Sequence, residues 1–345
     1  MKMNNMIDPE NKGVDGLTCT TDEDLAIKVR ALTKKYGKDV FALNGLNFSV
    51  QKGEIYGFLG PNGAGKSTAV KVMTTLSCPS QGEVQLYNVD AIHYPEEARK
   101  LFGYVAQQSA VDGESTGREN LMLQGRLYGL RGSILSERVV QLLERFDLMD
   151  AADRLSKTYS GGMQRKLDLA MGLIHHPKIL FLDEPTTGLD PEARASLWDT
   201  IHHLSKEDGL TVLLTTHYLE EADQLCDRLA IIDKGKVIVQ GTPEALKGEM
   251  HGDVVHIETM EAISEFQAKD MLQGISDLHE IIVDGLSVYV RTDQGAEQLP
   301  ALMSILKAEN IKVRAATISR PSLDDVYLRY TGHVFTETEE REVSR

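Results

Sequence analysis

The sequence has 345 residues, of which 41% are hydrophobic and 26% are charged, and these values are typical of a soluble globular protein. This length accommodates one large domain, or a large and a small domain that each have their own core. The formal net charge of -15, from 37 basic and 52 acidic residues, argues against a nucleic-acid partner, because phosphate backbones are bound by clustered Lys and Arg.

The three cysteines, Cys19, Cys78 and Cys226, are far apart in the sequence. Their spacing predicts neither a zinc site nor a disulfide framework, so a reducing cytoplasm is the simplest location. No apolar run approaches the roughly 18 residues needed to cross a bilayer, and the N-terminus lacks the apolar core of a signal peptide. If the protein acts at a membrane, we expect it to do so through another chain.

The first predicted segment is a polar leader, residues 1–24, which we expect to be flexible. Short strands are predicted next, at residues 26–32, 40–43 and 46–50. Tyr36 follows the first of these strands in a polar turn. Its ring could stack on an adenine base, and a partly buried turn residue is the alternative interpretation.

The stretch Gly60–Thr68 has the pattern of a phosphate-binding loop. Its sequence is Gly-Pro-Asn-Gly-Ala-Gly-Lys-Ser-Thr, between an apolar strand and an amphipathic helix. Glycines let backbone N–H groups curve around a polyphosphate, and the helix directs the positive end of its dipole at it. The predicted nucleotide contacts are Gly60, Asn62, Gly63, Ala64, Gly65, Lys66, Ser67 and Thr68. Lys66 is expected to reach the β- and γ-phosphates, and the Ser67 hydroxyl to hold Mg²⁺.

Two further short strands, at residues 82–86 and 101–105, follow the loop. The second leads to Gln107, whose amide could coordinate Mg²⁺ or orient a water molecule. An ordinary surface amide is the simpler interpretation of this residue when it is considered alone. From residue 117 to 149 the apolar spacing predicts at least two helices, separated by glycines.

Ser160, Gly161 and Gly162 begin the next predicted helix. Ser160 has the chemistry of an N-cap, and the two glycines leave backbone N–H groups accessible to an anion. Considered alone, the segment is more simply explained as a capped helix. The alternative is a second phosphate-binding terminus.

A buried parallel strand is predicted at residues 179–182, and it ends in two acidic residues. Carboxylates beside a core need a cation or water to compensate for their charge. Asp183 is therefore predicted to hold Mg²⁺, and Glu184 to polarise an attacking water. The strand at residues 210–216 should lie beside this strand, which makes His217 a candidate contact of a γ-phosphate. The alternative for His217 is an ordinary surface residue.

A hairpin and a short helix complete the first predicted domain, which we place at residues 25–247. Residues 253–333 then show the order strand, helix, strand, strand, helix, strand, which is typical of a small α+β ferredoxin-like domain. We find no catalytic cluster in this second domain. Residues 334–345 are predicted to be a charged tail.

The order and spacing of these motifs resemble the ATP-binding cassette (ABC) ATPases over roughly residues 25–247. The segment Tyr159-Ser-Gly-Gly-Met corresponds to the family's signature, in which Tyr159 and Met163 replace the commoner Leu and Gln. The resemblance implies an α/β P-loop NTPase fold, with a mixed core sheet, an antiparallel β subdomain and a helical subdomain. Residues 111–121 and 322–332 resemble, more narrowly, the daunorubicin-resistance type, whose ATP-binding subunits serve export systems with separate permease chains.

The resemblance implies that two cassettes pair head to tail and hold ATP and Mg²⁺ between them. The partner would be a second copy of this chain or a paralogue, because the chain has one phosphate loop. The helical block at residues 117–155 would face a separate transmembrane permease. The expected location is therefore the cytoplasmic face of the cell membrane, without a nucleic-acid partner.

The resemblance also implies a role for each site residue. Tyr36 would stack on adenine, and Ser67 and Asp183 would bind Mg²⁺. Gln107 would sense Mg²⁺ and the attacking water, Glu184 would be the general base, and His217 would contact the γ-phosphate. Ser160, Gly161 and Gly162 of the other copy would complete the site, and Asp190 would communicate across the dimer. Glu184, His217 and Gln107 are thus the predicted catalytic residues.

Three functions are open to a chain with one such cassette. We expect a transport ATPase that drives a separate permease, with efflux of a drug or another small molecule inferred from the resemblance. The alternative is a soluble ABC-type ATPase that acts on ribosomes or DNA. Ribosome-associated members carry two cassettes, and DNA-repair members carry a long coiled coil that is absent between Lys66 and Ser160. A purely regulatory nucleotide-binding module fits least well, because Glu184 is intact.

Overall fold

The structure of the protein is a computed structural model that describes residues 24–37, 40–250, 252–272, 275 and 277–332. The predicted leader, apart from Asp24, and the predicted charged tail lie outside the described residues. Contacts between residues divide the chain into two units, one that extends to Gln240 and one that begins at Gly241. Within the described ranges, no helix has the length and apolar character needed to cross a membrane.

The first unit combines strands and helices. Its strands are β1 (Leu25–Tyr36), β2 (Val40–Gln51), β3 (Ile55–Leu59), β4 (Gln81–Leu86), β5 (Val89–Asp90), β6 (Phe102–Val105), β7 (Ile179–Asp183), β8 (Thr211–Thr216), β9 (Arg228–Asp233) and β10 (Lys236–Gly241). Its helices are α1 (Lys66–Met73), α2 (Pro95–Ala98), α3 (Gly117–Leu127), α4 (Gly132–Arg145), α5 (Gly161–Gly172), α6 (Pro191–Lys206) and α7 (Leu219–Leu225).

A six-stranded sheet, in the order β10-β9-β3-β8-β7-β6, forms the centre of the first unit. The strands from β9 to β6 in this order are parallel, and the short turn before β10 reverses the chain, so the sheet is mixed. Every residue of β3, β7 and β8 is buried, which explains their largely apolar sequences. The carboxyl ends of these parallel strands meet at one edge of the sheet, where ligands bind in open α/β folds.

A second sheet, antiparallel and in the order β2-β1-β4-β5, shares a hydrophobic core with β3 and α1. The sequence predicts two strands at residues 40–43 and 46–50, whereas the structure has one strand, β2, that continues through Gly45 with a φ of +75°. Tyr36 lies at the end of β1 and not in a turn. The helical subdomain contains α3, which begins with a capping box at Thr116, and α4.

The second unit is an α+β structure. Its elements are α8 (Pro243–Gly248), β11 (Asp253–Thr259), α9 (Glu265–Leu272), β12 (Leu278–Asp284), β13 (Ser287–Thr292), α10 (Gly295–Ala308), β14 (Val313–Ser319) and α11 (Leu323–Thr331). Its sheet has the order β12-β13-β11-β14, with each neighbouring pair antiparallel. Side chains of α9 and α10 pack on one face of it. The sequence places α8 in the first domain, whereas the structure packs this helix against α11.

Candidate active site

The phosphate loop, Gly60–Thr68, connects β3 to α1 and approaches its neighbours closely. Gly65 has a φ of +108°, a conformation that favours glycine, and a Cβ there would collide with the carbonyl oxygen of Ala42 on β2. A Cβ on Gly60 would likewise collide with the carbonyl oxygen of Ile232 on β9. Glycine is therefore required at both positions for the loop to take this path.

Lys66, the first residue of α1, is only 4% exposed. Its ammonium group donates hydrogen bonds to the carbonyl oxygens of Gly60 at 2.5 Å and Pro61 at 3.1 Å, and it lies 3.9 Å from Glu184 Oε1. Burial lowers the pKa of Lys66, while the carboxylates of Glu184 and Asp183 act to raise it. The lysine thus turns toward carbonyls of its own loop, and an anion bound in the loop would replace them as its partner.

The next residue connects the loop to the acidic end of β7. The Ser67 hydroxyl donates to Asp183 Oδ1 at 2.9 Å, and the same oxygen accepts from Thr215 Oγ1 at 2.6 Å. Asp183 is 3% exposed, and the parallel register of β7 and β8 places it opposite Thr215. Hydroxyl and carboxylate oxygens side by side are ligands of the kind that Mg²⁺ prefers.

Glu184 lies in a sharp turn directly after β7 and is 8% exposed. Its φ of +48° is uncommon for a residue other than glycine, and its backbone N–H donates to Thr215 Oγ1 at 3.0 Å. Its Oε2 accepts hydrogen bonds from Gln107 Nε2 at 3.1 Å and Thr187 Oγ1 at 3.3 Å, and lies 3.1 Å from His217 Nδ1. The structure therefore brings Gln107, Glu184 and His217 together, from the ends of β6, β7 and β8.

The charges around Glu184 keep its side chain ionised. Burial acts to raise the pKa of Glu184, but the nearby His217 ring, the charge of Lys66 and the hydrogen bond of Thr187 lower it. The resulting pKa is below the ordinary value for a glutamate. At neutral pH the carboxylate can therefore accept a proton from a water molecule.

A second helix terminus, the signature segment Ser160–Gly162, begins α5. The Ser160 side chain accepts a hydrogen bond from the backbone N–H of Met163 at 3.3 Å, so it is the N-cap. Ser160 and Gly161 are exposed, Gly162 is half-buried, and the first turn of α5 carries no acidic residue. The positive end of this helix dipole is therefore directed at solvent.

Tyr36 and Asp190 also lie at the surface. Tyr36 is 47% exposed, and Lys34 Nζ lies 5.0 Å from the centre of its ring. Asp190 is the exposed N-cap of α6 and accepts from the backbone N–H of Ala193 at 2.8 Å. Within the phosphate loop, Asn62 and Gly63 are exposed, Thr68 is half-buried and Ala64 is buried.

Arg165, which no sequence motif indicates, connects the signature segment to the rest of the site. It lies on α5, is 6% exposed, and donates to the carbonyl oxygens of Pro185 and Ala106, each at 2.7 Å. These two carbonyls belong to the residues that flank Glu184 and Gln107 in the sequence. A single buried guanidinium group thus fixes α5 relative to the two loops that carry catalytic candidates.

No group of three or more His, Cys, Asp and Glu side chains in the described parts of the chain is arranged to hold a metal ion. A metal ion at Ser67 and Asp183 would need further oxygen ligands. Phosphate oxygens provide such ligands in sites where Mg²⁺ is held by one or two protein groups together with its substrate. The arrangement is therefore suited to a metal that arrives with a nucleotide.

Family comparisons agree with this geometry. Residues 43–187 match the ABC transporter family, and residues 241–331 match the family described as ATP-binding protein DrrA1-3-like, C-terminal domain. A dimeric ATP-binding cassette, solved in a post-hydrolysis state with ADP and Pi, is similar in structure with a TM-score of 0.57 and 28% identity. This similarity covers 63% of this chain and 98% of that cassette.

Curated relatives extend the match over almost the whole chain. The daunorubicin resistance ATP-binding protein DrrA2 of Streptomyces coeruleorubidus is 41% identical over 320 residues, which are 92% of this chain and 99% of that protein. The Nod factor export ATP-binding protein I of Burkholderia lata is 39% identical over 308 residues, which are 89% of this chain and 97% of that protein. The chain therefore belongs to the ATP-binding subunits of ABC transporters, and within them to the daunorubicin-resistance type.

Proposed function

We propose that this chain is the ATP-hydrolysing subunit of an export system in which a separate permease carries the transported molecule. The observation that supports this most directly is the position of Asp183 and Glu184 beside the phosphate loop, with Glu184 held by Gln107, Thr187 and His217. The relatives are named for resistance to daunorubicin and for Nod factor export. We extend export to this chain, with a drug or another small molecule as the transported substrate.

The residues present fit Mg²⁺ by the chemistry of their donor atoms. Ser67 and Asp183 supply a hydroxyl and a carboxylate oxygen 2.9 Å apart. Gln107 uses its amide nitrogen toward Glu184, so its amide oxygen is the atom suited to a metal. When bound, Mg²⁺ would neutralise charge on the transferred phosphate oxygens.

The protein's own groups have distinct tasks in hydrolysis. The backbone N–H groups of the phosphate loop and Lys66 would bind the phosphates, and Tyr36 would stack on the adenine ring. Glu184 would take a proton from the attacking water, and its fixed orientation would align that water with the γ-phosphorus. His217, 3.1 Å from the Glu184 carboxylate, would contact the γ-phosphate and orient the base.

The exposed signature segment suggests how the site is completed. A nucleotide in the phosphate loop would be contacted from only one side by a single copy. In a head-to-tail pair of copies, Ser160–Gly162 of the second copy would direct its helix N-terminus at the same phosphates, with Asp190 at the interface. The similar cassette with ADP and Pi is described as dimeric, which supports this arrangement.

The helical subdomain offers a surface for the permease. Leu123 and Leu127 on α3 are 56% and 74% exposed, and Ile134 on α4 is 68% exposed. Large apolar side chains that are exposed together on one subdomain are typical of a protein–protein contact. We propose that this surface docks the permease at the cytoplasmic face of the membrane.

The first test is the variant Glu184→Gln. It keeps the size of the side chain and removes its ability to accept a proton, so hydrolysis should slow by about 10² to 10⁴-fold. ATP should still bind, because the phosphate loop is unchanged, and an ATP-bound dimer should accumulate on gel filtration. Hydrolysis at the wild-type rate would remove Glu184 from its proposed role.

A further inference from the structure

Glu221, on α7, is a fully buried carboxyl group outside the cluster around Glu184. It is 0% exposed, whereas the neighbouring Glu220 is exposed. Its Oε1 accepts hydrogen bonds from Thr186 Oγ1 at 2.8 Å and from Trp198 Nε1 at 3.1 Å.

The two donors, and α7 itself, belong to segments that adjoin the catalytic candidates. Thr186 is two residues after Glu184 and is itself 0% exposed. Glu221 itself lies on α7, which begins at Leu219, two residues after His217. Trp198 lies on α6, the helix whose N-cap is Asp190. One carboxyl group therefore connects the backbone segments on which Glu184, His217 and Asp190 depend.

The burial of this carboxyl group costs folding free energy, which points to a role for its position. A buried acid that keeps one oxygen unpaired loses solvation free energy, and Glu221 Oε2 has no hydrogen-bond partner among the described residues. An apolar side chain of similar size would fill the same volume without that cost. The hydrogen bonds to the turn after β7 and to α6 are what an apolar side chain could not replace.

We propose that Glu221 is a positioning residue for ATP hydrolysis, which holds the turn after β7 and the start of α7, just after His217, in a fixed relation through Thr186 and Trp198. The inference rests on the proposed function, because positioning has a meaning only if Glu184 and His217 act on ATP. Glu221 does not itself touch the substrate. It acts through the backbone of the residues that do.

The chain contains its own probe of this connection. Trp198 is the only tryptophan in the sequence, and its indole N–H is bonded to Glu221. If ATP binding changes the turn after β7 or the start of α7, the environment of the indole changes with it. ATP-induced change in tryptophan emission should therefore depend on Glu221.

The experiment compares Glu221→Leu, which removes the acceptors, with Glu221→Gln, which keeps a carbonyl oxygen to accept from Thr186 and Trp198. Thr186→Val, which removes a single hydrogen bond, is the milder variant in case Glu221→Leu does not fold. The control is Glu54→Gln, because Glu54 is also buried and bonds Arg228 at 3.2 Å. For each variant, kcat, the Kd for ATP, Tm and the ATP-induced change in emission are measured.

For Glu221→Leu we expect kcat to fall about 10- to 100-fold, as misplacement of catalytic groups predicts, with the Kd for ATP within about twofold of wild type. The ATP-induced change in emission should disappear. Glu221→Gln should restore kcat to within about threefold of wild type. Thr186→Val should lower kcat severalfold, and Glu54→Gln should leave the kcat of the folded protein unchanged.

Two results would overturn the inference. One is a kcat for both Glu221→Leu and Thr186→Val no lower than that of Glu54→Gln. The other is a parallel loss of Tm, ATP affinity and kcat that Glu221→Gln does not reverse, since this would make Glu221 a structural residue only. Normal activity in Glu221→Leu with an inactive Glu184→Gln would refute this inference alone, whereas a wild-type protein that does not hydrolyse ATP would refute both proposals.

Discussion

The phosphate loop and the signature segment are both helix N-termini in the same unit, but they differ in how complete they are. At the phosphate loop, Lys66 and Glu184 are 4% and 8% exposed, and each has partners within the chain. At the signature segment, Ser160 and Gly161 are exposed, and the Ser160 side chain caps its own helix. One terminus is preorganised before any ligand binds, and the other has room for a partner.

The electrostatic surroundings of the phosphate loop and the signature segment also differ. The phosphate loop has both a cation, Lys66, and two carboxylates, Asp183 and Glu184, close to it. The first turn of α5, at the signature segment, has no acidic residue to offset the helix dipole. The first terminus is therefore equipped for chemistry, whereas the second is equipped to attract an anion held elsewhere.

The largest expected effect comes from placing a negative charge on the signature segment. A Cβ at Gly161 would lie 3.5 Å from Leu189 Cδ2, an ordinary contact, so Gly161→Glu should fold. An acidic residue in the first turn even favours the helix by about 0.3–1 kcal/mol. In the dimer this carboxylate would repel the phosphates, and we expect hydrolysis to fall at least about 100-fold.

The same variant should bind ATP as a single copy with wild-type affinity, measured by calorimetry in the absence of dimer formation. Gly161→Gln, which has the same size without the charge, is the control and should lose much less activity. If Gly161→Glu hydrolysed ATP normally, the signature segment would not complete the site. The distinction between the two termini would then lack a functional meaning.

The second largest effect is expected from Lys66→Ala, which acts within one copy. A hydrogen bond from a charged group contributes about 1.5–3 kcal/mol, so ATP affinity should fall about 10- to 100-fold. Lys71→Ala is the matched control, because Lys71 is an exposed residue of the same helix. Equilibrium binding of a fluorescent ATP analogue would measure both. Equal affinity of the two variants would contradict the assignment of the phosphate loop.

The sequence predicts most of the elements that form the phosphate loop and the signature segment, because each motif combines several strong local signals. The phosphate loop joins glycines, an apolar strand and a helix. The strands predicted at 179–182 and 210–216 are neighbours in the sheet, as expected, and in the structure His217 lies 3.1 Å from Glu184. The sequence does not indicate the short elements β5, α2 and α7. Elements of two to seven residues have too few positions to establish a period.

The sequence does not reveal the side chains that organise the site from within. In the sequence, Thr215 is an ordinary β-branched residue of a buried strand. Only the structure shows that its hydroxyl donates to Asp183 and accepts from the backbone N–H of Glu184. Glu220 and Glu221 are identical neighbours, yet one is exposed and the other buried. Which of them faces inward depends on the packing of α7, and no local pattern indicates it.

The smallest expected effect is on stability, and it tests only the charges around Glu184, beside the phosphate loop. A carboxyl group whose pKa is lowered in the folded state stabilises the fold above its unfolded pKa, and this contribution is lost as pH falls through the folded pKa. The pKa of Glu184 is lowered from 4.5, because the effects of His217 and Lys66 exceed that of burial. The Tm of nucleotide-free wild type, relative to Glu184→Gln, should therefore decrease as pH falls below 4.5.

Glu54 provides a control with the opposite sign. Burial raises the pKa of Glu54 despite its hydrogen bonds to Gln51 and Arg228. A group whose pKa is raised favours the fold in its protonated form, so the Tm of wild type relative to Glu54→Gln should increase over the same fall in pH. Calorimetric scans of the three proteins at matched ionic strength would compare the two trends. Parallel trends of Tm with pH would mean that Lys66 and His217 do not hold Glu184 in its ionised form. The site beside the phosphate loop would then not be preorganised for catalysis.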